Sequence, residues 1–144
     1  MKNTEHIVKK EIVLNAKPSS VWDALTNPEK TKKYFFKCKV ISDWKPGSSI
    51  TFKGKVFFII NIEMKGKILK IEPEKILQYT LANQGSPGFS TVTDTLEYKN
   101  GKTTLSIKDD VGKEEGAGKR YKKSVKGWDK ILKGLKELVE SENE

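Results

Sequence analysis

One stretch near the C-terminus restricts the fold more than any other. Lys119 to Glu140 reads KRYKKSVKGWDKILKGLKELVE, in which Tyr121, Val125, Trp128, Leu132, Leu135 and Val139 recur at spacings of four and three. Those spacings place six apolar side chains on one face of a helix. The opposite face carries Lys122, Lys126, Asp129, Lys130, Lys133, Lys136, Glu137 and Glu140. Roughly twenty helical residues span about 30 Å. No other segment has the length to pair with this one as a second helix. Its apolar stripe must lie on something broad, and the middle of the chain offers only strands. A second stripe runs beside the first: Ser124, Gly127, Ile131, Gly134 and Leu138. A glycine costs a helix interior about 1 kcal/mol against alanine. Gly127 and Gly134 on one ridge therefore mean either close approach of sheet backbone or space left for a ligand.

The strands are legible by alternation and by turn residues. Glu5 to Asn15 predicts a first strand, with Val8, Ile12 and Leu14 on one face, Lys10 interrupting it, and Ile7 and Val13 on the other. Pro18 suits the first turn of a short helix whose apolar side is Val21, Trp22 and Leu25. Asn27-Pro28-Glu29 repeats the signal for a second, running to about Tyr34. Strands are then predicted at 37–44, 49–53, 64–71, 75–81, 91–98 and 103–109. The run 56–62, VFFIINI, is the most apolar in the chain and must be covered or lie at the mouth of an apolar cavity. Asn100-Gly101 predicts a type I′ hairpin turn. A glycine-rich connection, 110–119, leads into the terminal helix. The expected class is α+β: a curved antiparallel sheet of six to seven strands gripping one long C-terminal helix, in a single domain spanning residues 1–144.

Charge and composition narrow the function classes. The chain has 28 Lys and Arg against 19 Asp and Glu, a net charge of +9. Its lysines are scattered through nearly every segment and Arg120 is the one arginine, so a solvated surface fits better than specific nucleic-acid recognition. The sequence has no apolar run long enough to insert into a membrane and no apolar block at its start. One cysteine, Cys38, excludes an internal disulfide. Together these favour the reducing cytoplasm.

Residues with chemistry are few. His6 sits in a charged N-terminal stretch and is expected to be solvated, and Cys38 is expected to be a small buried hydrophobe. With these as the chain's lone imidazole and thiol, no metal, cofactor or nucleophilic triad is expected. Gly112, Gly116 and Gly118 lack the Gly-Lys-Ser/Thr of a phosphate loop. Asp94 is the odd residue, sharing a strand face with Val92 and Leu96. If that face is inward, Asp94 needs a partner such as Lys10, or its pKa rises.

Three stretches carry a family resemblance: residues 16–29, AKPSSVWDALTNPE; residues 66–77, GKILKIEPEKIL; and Gly127-Trp128 followed by Leu132, Leu135 and Leu138. In this order they resemble the helix-grip fold of START and birch-pollen-allergen proteins (SRPBCC). Within it they resemble the branch named after the activator of the 90-kDa heat-shock-protein ATPase. The resemblance implies a cavity between sheet and long helix that in relatives holds lipids, hormones or polyketides, and no catalytic motif shared by all members. Two functions follow as expectations. The first is a noncatalytic binding module for a small apolar or amphipathic ligand. The second is a protein-interaction module, co-chaperone-like and tied to stress response, using the lysine-rich helix face or the VFFIINI edge. An enzyme of the cyclase or hydratase kind lacks a positioned acid–base pair. The residues expected around the cavity are Trp22, Phe57, Phe58 and Ile60 as apolar surface, Tyr79 and Asp94 as polar anchors, and Gly127, Trp128, Ile131 and Gly134 on the helix.

Overall fold

The computed structural model describes residues 6–56, 60–83 and 87–142. In chain order the elements are β1 (Ile7–Leu14), α1 (Pro18–Thr26), α2 (Pro28–Tyr34), β2 (Cys38–Ser42), β3 (Ser49–Val56), β4 (Ile60–Glu72), β5 (Ile76–Ala82), β6 (Phe89–Lys99), β7 (Lys102–Asp110) and α3 (Ala117–Glu142). The strands form one antiparallel seven-stranded sheet in the order β1-β7-β6-β5-β4-β3-β2. A register shift between Ile68 and Lys70 breaks the β4–β5 ladder, the kind of irregularity that bends a sheet. The curved inner face holds α3, and the helix-grip expectation is met.

Local chemistry explains the boundaries. Asn27 caps α2 by accepting the Glu29 N–H at 3.0 Å, and Glu29 places its charge at the helix's positive end. Asn100 and Gly101 adopt φ of 53° and 79°, the two left-handed residues that a type I′ turn requires. Both edges of the sheet are blunted. Lys136 of α3 donates to the Val13 carbonyl of β1 at 2.9 Å, and Glu140 accepts the Asn15 N–H at 2.9 Å. On the other edge, Thr31 of α2 accepts the Val40 N–H of β2 at 3.0 Å.

Three sequence expectations need correction. The apolar run 56–62, expected to be covered or at a cavity mouth, straddles the end of β3 and the start of β4, where Val56 pairs with Ile60. Both strands lie inside the sheet order, but Val56 stands beyond the last β2 pairing, at Gly54, and Ile60 to Ile62 stand outside the β4–β5 ladder, which begins at Ile68, so the described ends of this run pair only with each other's strand. Ile60 stands half-exposed, and Phe57 and Phe58 lie outside the described residues. His6 is not a solvated side chain: its ring meets Tyr121 edge-on at 6.1 Å and its Nδ1 is buried. The apolar stripe of α3 is not gripped along its length. Trp128, Ile131, Leu132, Leu135 and Val139 are buried, whereas Tyr121 is exposed and Val125 half-buried. The C-terminal half of α3 packs on β1, α1 and α2, and its N-terminal half stands over a cleft.

Candidate functional site

The inner face of the sheet carries two carboxyl groups. Strand alternation turns Val92 and Asp94 of β6 inward beside Leu105, Ile107 and Asp109 of β7, all buried. Asp94 pairs with Ile107 and Val92 with Asp109, so the two aspartates are diagonal neighbours on one face. Asp109 Oδ2 accepts hydrogen bonds from Ser124 Oγ at 2.5 Å and Trp128 Nε1 at 2.9 Å. Oδ1 of each aspartate is buried without a hydrogen-bond partner. Lys10 does not serve Asp94; it pairs with Asp129 of α3 at 2.8 Å. Burial, followed by the negative charge of Asp109, pushes the Asp94 carboxyl up to about 8. Burial also raises Asp109, while the Ser124 and Trp128 hydrogen bonds oppose that rise.

Aromatic rings pack around this pair. Phe35 stacks on Phe52 with centroids 4.5 Å apart and meets Trp128 edge-on at 6.0 Å. Tyr34 donates its hydroxyl to the Ala24 carbonyl at 2.8 Å. Burial raises the pKa of both Tyr34 and Tyr79, and the Asp94 charge adds to each shift.

Among the described residues, an inner and an outer space lie between sheet and helix. The inner one, about 20 Å³, is walled by Asp94, Tyr79, Tyr34, Phe52 and Leu105 and has room for about one water. The outer one is an open cleft of about 420 Å³, within the ordinary range of small-ligand sites. Its walls are Phe36, Met64, Leu81, Val92, Val111 and Ile131, with Asp109 and Ser124 among them. Lys123, Lys126 and Lys130 form the rim on the helix side. Phe35, Trp128 and Ile131 line both spaces and so partition them.

Phe36 reaches the cleft through an unusual backbone. After α2 the chain places Phe36 and Lys37 at φ of 49° and 61°, a left-handed pair that non-glycine residues seldom adopt. Cys38 N–H closes the turn on the Phe35 carbonyl at 2.9 Å. The Phe36 ring is left 44% exposed and reaches over Gly127, where an added Cβ would stand 3.6 Å from its Cζ.

The structure brings together only part of the residue set read from the sequence. Gly127, Trp128 and Ile131 line the cleft, and Tyr79 and Asp94 line the inner space. Trp22 packs on the core from α1 and lines neither. Ile60 is likewise outside both walls. Gly134 faces α2 rather than a cavity: a Cβ there would meet Tyr34 Cβ at 2.9 Å. Close packing, not ligand space, accounts for that glycine. Cys38 is buried, and burial raises its thiol pKa. Among the described residues no group of three or more His, Cys, Asp or Glu could hold a metal ion, and no helix is long and apolar enough to cross a membrane.

A family model described as "Activator of Hsp90 ATPase homolog 1-like protein" matches residues 15–140. The chain belongs to that family. No match is found among curated proteins. Among solved structures, the family member is similar to ChR145 from Cytophaga hutchinsonii, with 34% identity, a TM-score of 0.74, and coverage of 94% of each chain. It shares the fold of MLL2253 from Mesorhizobium loti at 21% identity and a TM-score of 0.80, covering 94% of this chain and 97% of that one. It also shares the fold of DynU16, a protein of the dynemicin biosynthetic locus, at 18% identity and a TM-score of 0.76. That match covers 94% of this chain and 47% of DynU16.

The cavity set read from the sequence lacks Asp109, Ser124, Phe36 and the lysine rim of this activator-family chain. A signal existed for Asp109, which stands two residues beyond Ile107 and four beyond Leu105 on the same strand face. Ser124 and Trp128, four apart, share a helix face and so can reach one acceptor. Phe36 belongs to an aromatic run, Tyr34 to Phe36, that the sequence shows, but its place over Gly127 depends on a left-handed turn that no glycine or asparagine marks.

Proposed function

We propose that this chain is a noncatalytic binding module for a small amphipathic ligand, held in the cleft between the sheet and the N-terminal half of α3. The observation that carries the reading is the cleft itself: about 420 Å³, walled mainly by apolar side chains, beneath the part of α3 that the sheet does not grip. Leaving apolar walls in contact with water forgoes roughly 25 cal/mol per Å² of burial, which an apolar ligand recovers on entry. Asp109 supplies a buried carboxyl in the wall, and the lysines supply charge at the rim. The Asp94–Asp109 pair is read as structural polarity, since each carboxyl is enclosed by side chains and no third group completes an acid–base set.

Titration with the neutral fluorescent probe N-phenyl-1-naphthylamine tests this. Wild type is expected to bind at micromolar affinity, about −8 kcal/mol. Gly127→Leu fills the cleft from the helix side and should weaken binding by about tenfold or more, equivalent to about 1.4 kcal/mol. Circular dichroism on the same samples separates lost binding from lost folding. Absence of probe binding by folded wild type, or unaltered binding by Gly127→Leu, overturns the reading. The second reading, contact with a chaperone, draws support from the family match alone. Stimulation of a chaperone ATPase by wild type that binds no probe would favour it.

A further inference from the structure

We propose that the charged end of the cleft's ligand is anionic, its head held by Lys123, Lys126 and Lys130 and its apolar body lying towards Trp128 and Ile131; this rests on the cleft being a ligand site. The three lysines are exposed, line the cleft, and follow one another at spacings of three and four along α3. Side chains at those spacings are neighbours on a helix, so their like charges repel. Among the described residues none of the three has an acidic partner within ion-pair distance. Elsewhere on α3, Asp129 takes Lys10 and Glu140 takes Lys136, while Lys119, Lys122 and Lys133 are likewise without an acidic partner among the described residues; what sets Lys123, Lys126 and Lys130 apart is that all three line the cleft.

The other charged groups of the cleft do not neutralise this rim. Arg120 is committed to the chain beneath it, donating to the carbonyls of Val111, Glu114 and Glu115. Asp109 is the one acidic residue in the wall, buried and turned to Ser124 and Trp128 through Oδ2. A cationic head would therefore meet three ammonium groups at the mouth. A neutral amphiphile would leave them as they are. An anionic head, a carboxylate or a sulfate or phosphate monoester, relieves their mutual repulsion while its tail covers the apolar walls.

Three ligands with the same ten-carbon tail test the head charge: decanoate, decanol and decyltrimethylammonium. Each is titrated below its critical micelle concentration, at low salt and slightly alkaline pH, by displacement of N-phenyl-1-naphthylamine. Decanoate is expected to bind about tenfold more tightly than decyltrimethylammonium, with decanol between them, and added salt should shrink the difference. The variant with Lys123→Glu, Lys126→Glu and Lys130→Glu should lose or reverse the preference while still binding decanol. A control with Lys67→Glu, Lys70→Glu and Lys75→Glu, exposed on and just after β4, makes the same change in net charge and should keep the preference. Equal affinity for all three ligands, or equal loss in both triple variants, overturns the anionic head and leaves the binding site standing. Failure of every ligand and of the neutral probe overturns the site itself. Binding to phosphatidylglycerol vesicles without binding monomeric decanoate also overturns the proposal, since the lysines then act as a surface rather than as the rim of a cleft.

Discussion

Trp128 Nε1 donates to Asp109 Oδ2 at 2.9 Å, tying the middle of α3 to the end of β7 at the boundary between cleft and core. The indole meets Phe35 on the core side and lines the cleft on the other. Trp128→Ala removes a large buried ring and a donor to a buried carboxyl. The expected cost is about 3–5 kcal/mol, or a loss of about 10–16 °C in Tm. Trp128→Phe keeps most of the ring and should lose about 1–3 kcal/mol for the missing donor. Thermal unfolding of the two variants checks the order. A Trp128→Ala protein melting within about two degrees of wild type would show that this tie contributes little.

Asp94 makes stability fall as pH rises. Its carboxyl is held near 8 in the folded chain, against about 4 when unfolded. Below about pH 4 both states are protonated and the group has no effect. Between about 4 and 8 the folded state keeps a proton that the unfolded state has lost, so stability declines by up to about 1.4 kcal/mol per pH unit. Above about 8 the penalty is complete. Asp94→Asn should remove this dependence while nearly preserving shape. Urea unfolding at pH 5 and pH 9 should therefore show the Asn variant gaining on wild type at the higher pH. A constant offset between the two would mean that Asp94 is ionised in the fold. Asp109, also raised by burial, contributes a slope of the same sign that remains in the variant.

Gly127 and Gly134 lie on one helical ridge but answer to different neighbours. At Gly134 a Cβ would stand 2.9 Å from Tyr34 Cβ, and Tyr34 is fixed by its bond to the Ala24 carbonyl. Gly134→Leu is expected to destabilise by about 1–3 kcal/mol through overpacking, outweighing about 1 kcal/mol of helix propensity gained. At Gly127 the nearest atom is an exposed ring edge at 3.6 Å. Gly127→Leu should leave Tm unchanged or raise it, so that its loss of probe binding is not a loss of fold. Melting curves of the pair decide this, and equal destabilisation would contradict it.

The sequence carried most of the architecture because periodicity and turn chemistry are local. The stripe from Trp128 to Val139, the Asn27 cap and the Asn100-Gly101 turn each emerged as read. The site was less legible because it depends on where elements stop touching. Tyr121 and Trp128 share a periodic pattern, yet one is exposed and the other buried; the pattern cannot show where along the helix the burial ends. Gly134 is open in the sequence to close packing or to ligand space, because a missing side chain reads the same whether a ligand or Tyr34 fills the gap. Asp94 was legible as inward, and the alternative to a Lys10 partner, a raised pKa, is what the fold contains.

Phe36 separates binding from stability. At φ of 49° a phenylalanine is strained by roughly 1 kcal/mol or more, whereas asparagine adopts that conformation readily. The residue is 44% exposed, so removing the ring forfeits about half of a phenylalanine's burial, roughly 1 kcal/mol, which relief of the backbone strain offsets. Phe36→Asn is therefore expected to keep or slightly raise Tm. The same change strips one wall from the cleft opposite Gly127. Affinity for the neutral naphthylamine probe should fall by about threefold to tenfold, or about 0.6–1.4 kcal/mol. Few surface changes produce that combination, because most lower stability and leave binding alone or lower both. If Phe36→Asn melts well below wild type, the ring is a structural prop; if it melts as wild type and binds the probe unchanged, the ring is no part of the ligand's wall.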